Sequence, residues 1–252
     1  KYQDYGNRLM EVYGTGVMNV KNYEREIFVG VSSVSNQAAD DEFDSELYLE
    51  FFALSADAEG KMEQEPLTEL TQKIPYRGFL YTSSVAFGDF DGANYNNEMA
   101  ATMVLSTEIR LFVYRLILND GKLELRAMES AGGIQVYSNT TMYQGYLESQ
   151  PVCDMVAGNF DGEGGDEIAV LYKRPTQLKE LAYNKGWTYG PIAGDVNCAV
   201  YQWNAEKHKF DKAETAKAYN KYEIRRTGAI EVHNPIANVS GIVGLRAAAA
   251  DL

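Results

Sequence analysis

Two stretches of this chain place oxygen-bearing side chains at the spacing a hard cation requires. In residues 155–170, MVAGNFDGEGGDEIAV, side-chain oxygens fall at Asn159, Asp161, Glu163 and Glu167, and the Gly165 carbonyl stands where it can add one more. Carboxylates and amides at alternate positions of a glycine-bearing turn point inward together, which is how calcium collects its ligands. Gly162 and Gly164 permit the positive φ angles such a turn demands. Seventy residues before Asn159 stands a near copy, in which Asp89, Asp91, Asn97 and Glu98 hold comparable places. That loop is one residue longer and has Ala93 at a ligand position, with Asn94 as a substitute, so the Asn159 loop ranks above it as a metal site. The competing reading is a solvated acidic hairpin turn, since Asp-Gly is a common turn dipeptide. Recurrence of the loop in matching context favours the metal. An EF-hand fits poorly, because its twelfth position needs a bidentate Glu where Ala100 and Val170 stand.

The elements that must position these loops repeat with them. Apolar strands flank each loop, and a hairpin follows: residues 46–65 turning at Glu59-Gly60, residues 108–126 turning at Asn119-Asp120-Gly121, and residues 197–214 turning near residues 206–208. A worn copy of the loop follows Asn19, 70 residues before Asp89, with Lys21 where Asp91 and Asp161 stand. An ammonium there repels a cation, so no metal is expected in that copy. Four antiparallel strands every 60–70 residues is the pattern of a propeller blade. The expected fold is all-β, a β-propeller segment with blades over residues 9–67, 80–128 and 152–216. Residues 244–252 read as the first strand of a further blade. Residues 174–196 form an insertion rich in Gly, Pro and aromatics. Tyr183, Trp187 and Tyr189 within it are candidate contacts for a ligand, because aromatic rings give large contact area at low entropic cost. Packing over a blade edge is the equal alternative.

Composition narrows the function classes. With 23 basic against 36 acidic residues the net charge is −13, which argues against nucleic acid and against docking on anionic membranes. Hydrophobic content of 45%, with 18 Tyr and 10 Phe, fits a globular chain with aromatic-rich sheets. No apolar run has the length of a membrane span. The start at Lys1 reads as a mature or excised piece. Cys153 and Cys198, the two cysteines, read onto the first and third strands of one sheet, roughly 9–10 Å apart. A bridge needs Cα atoms within about 7 Å, so two thiols are favoured over a disulfide. No catalytic set emerges around His208 and His233. Asn139 and Asn238 open sequons, a weak signal.

The segments AFGDFDG followed by NNEMA, and AGNFDGEGGDEIAV, resemble the FG-GAP (VCBS) repeat. That repeat builds the calcium-loaded propellers of integrin α chains, some fungal lectins and many secreted bacterial proteins. The resemblance covers most of residues 9–252 by periodicity and is specific in the two loops. It implies structural calcium held by Asp89, Asp91 and Glu98, with Asn97, in one loop. In the other it implies Asn159, Asp161, Glu163 and Glu167 plus the Gly165 carbonyl. It further implies an extracellular or cell-surface, non-enzymatic role in adhesion, ligand binding or scaffolding, with a protein or glycan as ligand. Further blades would come from missing chain or a partner molecule. The rival expectation is an accessory propeller of a larger secreted enzyme or toxin. A third, that Glu163 and Glu167 serve a hydrolase, ranks last.

Overall fold

A computed structural model of the chain describes residues 8–37, 43–78, 80–105, 108–138, 152–173 and 196–213. Among these residues the protein is all-β, with no α-helix and a single 3-10 turn at Thr68–Leu70. Its strands form three antiparallel sheets. The first contains β1 (Arg8–Met18), β2 (Ile27–Gln37), β3 (Phe43–Ala56) and β4 (Met62–Pro66) in that order, with β5 (Gln72–Arg77) also on β3. The second is built on β8 (Glu98–Leu105) and β9 (Glu108–Asn119). Strands β6 (Leu80–Thr82) and β7 (Val85–Gly88) pair with β8, and β10 (Lys122–Ala127) and β11 (Ile134–Ser138) pair with β9. The third runs β12 (Val152–Gly158), β13 (Glu167–Lys173), β14 (Val196–Asn204), β15 (Lys209–Lys212).

The three sheets are stacked, and burial shows which lies in the middle. Successive side chains of a strand point to opposite faces. In β2, Ile27, Val29 and Val31 are fully buried while Phe28, Gly30 and Ser32 are half-exposed, so this sheet is covered on one face. In β8 every residue is buried. Met99, Ala101, Met103 and Leu105 pack towards the first sheet, joining Val29, Leu49 and Phe51. Ala100 and Val104 pack the other way, joining Met155, Ile168 and Val170 of the third. This two-sided burial is why β8 is nearly continuously apolar.

The first strands of the sheets approach closely, and two glycines make room. A Cβ on Gly14 would lie 2.5 Å from Val85 Cγ2, and one on Gly16 would lie 2.2 Å from the Phe87 ring. Strands β3 and β9 outrun β4 and β10, so a second segment completes each edge: β5 on β3 and β11 on β9. The sheets therefore extend past residues 67 and 128, to Arg77 and Ser138. Pro75 lies in β5, an edge strand, where its missing N–H costs no ladder bond.

The hairpin turns stand where the sequence places them. Asp120 and Gly121 (φ 48° and 76°) join β9 to β10, and Gly60 (φ 81°) lies between β3 and β4. The thiols Cys153 and Cys198 are free, on β12 and β14, with β13 between them. The expected insertion over residues 174–196, with Tyr183, Trp187 and Tyr189, lies outside the described residues except for Val196, which opens β14. The strand expected over residues 244–252, His233 and both sequons also lie outside them.

Candidate metal centre

Each sheet opens with the same turn. The hairpins close at the pairs Met18↔Ile27, Gly88↔Glu98 and Gly158↔Glu167. Asn22, Gly92 and Gly162, each 70 residues from the next, all take left-handed backbone conformations (φ 63°, 72° and 79°). Asn94 and Gly164 repeat the agreement two residues on (φ 63° and 71°). Only residues tolerant of positive φ fit there, which accounts for Gly or Asn at all five positions.

The loops are also tied to one another. Asn19 N donates to Asn96 O at 2.8 Å. Asp166 N donates to Asp89 O at 2.8 Å, and Asp89 N donates to Asp166 Oδ2 at 3.0 Å. In both cases the partners are 77 residues apart. Gly165 is pressed against the neighbouring loop: a Cβ there would lie 2.5 Å from Phe90 O and 2.6 Å from Asp89 O. Close approach, rather than cation binding alone, thus accounts for glycine at this position.

Among the described residues one group of three carboxylates converges, with ligand atoms of Asp89, Asp91 and Glu98 all within 4.8 Å of one another. Glu98 is fully buried at the start of β8 and accepts from the backbone N–H groups of Phe90 and Asp91. Burial pushes its carboxyl up to about 7, with Arg115 pulling the other way and Asp91 reinforcing the rise. Asp89 accepts from Ala93 N at 2.9 Å and Asn94 N at 2.6 Å, and Asp91 accepts from Ala93 N at 3.1 Å. Arg115 on β9, paired directly across from Glu98, hydrogen-bonds Glu98 and forms an ion pair with Asp91. Its Nε lies 2.6 Å from Glu98 Oε1 and its Nη2 lies 2.5 Å from Asp91 Oδ2. Asn97, next to Glu98, donates its amide N–H to Leu116 O at 2.9 Å, and its Oδ1 is buried with no hydrogen-bond partner.

The Asn159 loop reproduces the scaffold with different charge. Glu167, also fully buried, accepts from Phe160 N at 2.7 Å, and burial raises its pKa. Asp161 accepts from Glu163 N at 2.9 Å. Gln202 on β14 takes the place of Arg115, its amide lying 3.2 Å from Asp161 Oδ2 and 3.1 Å from Glu167 Oε1. The Asn159 side chain is engaged within the turn, accepting from Gly162 N at 2.7 Å and donating to Gly164 O at 3.3 Å. Glu163 is exposed. The spacing ranks the Asn159 loop first; the group of three converging carboxylates forms at Asp89, since Asn159 contributes no carboxylate and Glu163 does not join Asp161 and Glu167. In the first loop Ile27, fully buried, holds the register position of Glu98 and Glu167, and Ala53 holds that of Arg115. Together with Lys21 this leaves no acidic pair there.

Sequence reasoning missed Arg115, Gln202, Asp166 and Ile27. Arg115 had a signal, being the one charge within the otherwise apolar run of residues 111–118. His208 is exposed in the β14–β15 turn (φ 50°). Comparison with protein-family models, with curated proteins and with solved structures gave no match.

Proposed function

We infer that this chain is a calcium-stabilised β-propeller segment of the FG-GAP type, acting outside the cell in adhesion, ligand binding or assembly. The three sheets are then its blades, and the acidic loops are turns that a structural cation pins. The observation that carries the reading is the recurrence of one loop geometry, left-handed at residues 22, 92 and 162 and tied to its neighbour 77 residues on. Two of the loops present a buried glutamate beneath an aspartate, a set of hard oxygens suited to calcium. Carboxylates this close repel one another unless a cation sits among them. The ion staples the turn and activates no water.

The three described sheets do not complete a ring, and among the described residues an outer face is left uncovered. Val12 is 78% exposed on the first sheet, and the half-exposed Phe28 and Phe52 rings pair on the same side, 6.2 Å apart. A further blade, from more chain or from a partner, covers such a face. Sedimentation of the purified chain then gives a species larger than its 28.1 kDa, or a complex with that partner. A stable isolated monomer contradicts this part of the reading. For the metal, amide exchange with and without calcium is the test: exchange slows within residues 159–167 on calcium addition. Unchanged exchange there removes the ion.

A further inference from the structure

We propose that Arg115 is the resident cation of the Asp89 loop, and that Gln202 in its place leaves the Asn159 loop as the one that draws a divalent ion from solution. The second half rests on the calcium reading above; the role of Arg115 stands on geometry alone.

Five of the six carboxylate oxygens of Asp89, Asp91 and Glu98 already have a hydrogen-bond donor, and the sixth, Asp91 Oδ2, has Arg115 Nη2 as an ion-pair partner only. Backbone N–H groups serve both oxygens of Asp89, one of Asp91 and one of Glu98. The remaining two, Asp91 Oδ2 and Glu98 Oε1, face the Arg115 guanidinium at 2.5 Å and 2.6 Å. A planar fork bridging two carboxylates does what a shared ion does: it supplies positive charge between groups that otherwise repel. The fork is held in place, because its pairing register sets it opposite Glu98 and its Cζ lies 6.0 Å from the Trp203 ring centroid on the third sheet. A calcium ion in this loop has to compete with that guanidinium.

The Asn159 loop has the same two oxygens in the same relation, Asp161 Oδ2 and Glu167 Oε1. There they meet a neutral amide at 3.2 Å and 3.1 Å. An amide donates hydrogen bonds and carries no charge, so the repulsion between the carboxylates remains. The first loop shows a third arrangement. Its acidic positions are Lys21 and Ile27, and Lys21 Nζ lies 5.5 Å from the Tyr95 ring centroid on the neighbouring loop. One scaffold thus carries three ways of settling charge: none to settle, an internal guanidinium, and an amide that leaves room for an ion.

The test is calorimetric titration of calcium chloride into the metal-stripped full chain and two variants. Wild type binds one ion, R115Q binds two and Q202R binds none. Since R115Q leaves Glu98 buried without its counter-charge and can fail to fold, Q202R provides the independent arm. Two ions in wild type, no extra ion in folded R115Q, or an ion retained by Q202R each overturn the assignment. An ion in R115Q but none in wild type upholds Arg115 and refutes calcium at the Asn159 loop. One ion in all three proteins upholds calcium and refutes the roles given to Arg115 and Gln202.

Discussion

Asp166 grips the peptide of Asp89 from both sides. Its own N–H donates to the Asp89 carbonyl at 2.8 Å while its carboxylate accepts from the Asp89 N–H at 3.0 Å. This pair joins the acidic turn of one sheet to that of the next, so each turn is both a candidate ion site and a clasp between sheets. Shape at the clasp therefore matters as much as charge.

Gly165 sits where the clasp is tightest. Gly165→Ala forces a methyl group against two carbonyl oxygens and is expected to cost about 1–3 kcal/mol. Gly30→Ala, with open space around its Cβ, is the control and is expected to be neutral or stabilising by up to about 1 kcal/mol. Urea denaturation of the two variants beside wild type measures both. Equal stability of the three proteins contradicts the packing of the loops described above.

Glu98 makes stability depend on pH in a defined direction. Its carboxyl titrates near 7 when folded against an ordinary value of 4.5, so the folded state binds the proton more tightly. Its contribution is therefore fully present below pH 4.5 and is lost as pH rises through 7, about 3 kcal/mol over the window. Glu167, raised by the same burial, adds to the trend. In calcium-free buffer the unfolding free energy of Glu98→Gln should fall less steeply between pH 4.5 and 7 than that of wild type. Parallel curves contradict the assignment.

The two thiols offer a check on the third sheet. Burial pushes Cys153 up to about 12 and raises Cys198, so neither forms much thiolate at neutral pH. A disulfide-exchange reagent is expected to react slowly with the native chain and to count two thiols after unfolding. A count of zero in the unfolded, unreduced chain would reveal a bridge and displace β12 and β14 from their separate places.

What the sequence shows and what it hides divide along chain distance. Asp120-Gly121 marks the β9–β10 turn, and alternating apolar residues mark β2, because both signals are written within a few residues. The two-sided burial of β8 is legible for the same reason. Arg115 meets Glu98 only through strand register, and Asp166 meets Asp89 only once two sheets stack. Those relations depend on residues far apart in the chain, so a motif read along one loop passes over them. Asn97 shows the same limit: the motif gives its position, but only the folded hairpin shows its amide N–H donating to the Leu116 carbonyl while its Oδ1 is buried with no hydrogen-bond partner.

Thermal unfolding of the metal-stripped chain, with calcium and then with excess chelator, tests the central claim most directly. An ion bound only by the folded state at tens to hundreds of times its Kd stabilises by about 2–3 kcal/mol, which in a chain of this size raises Tm by roughly 4–12 °C. The account predicts such a rise with calcium and its reversal by chelator. An identical Tm under both conditions would contradict it.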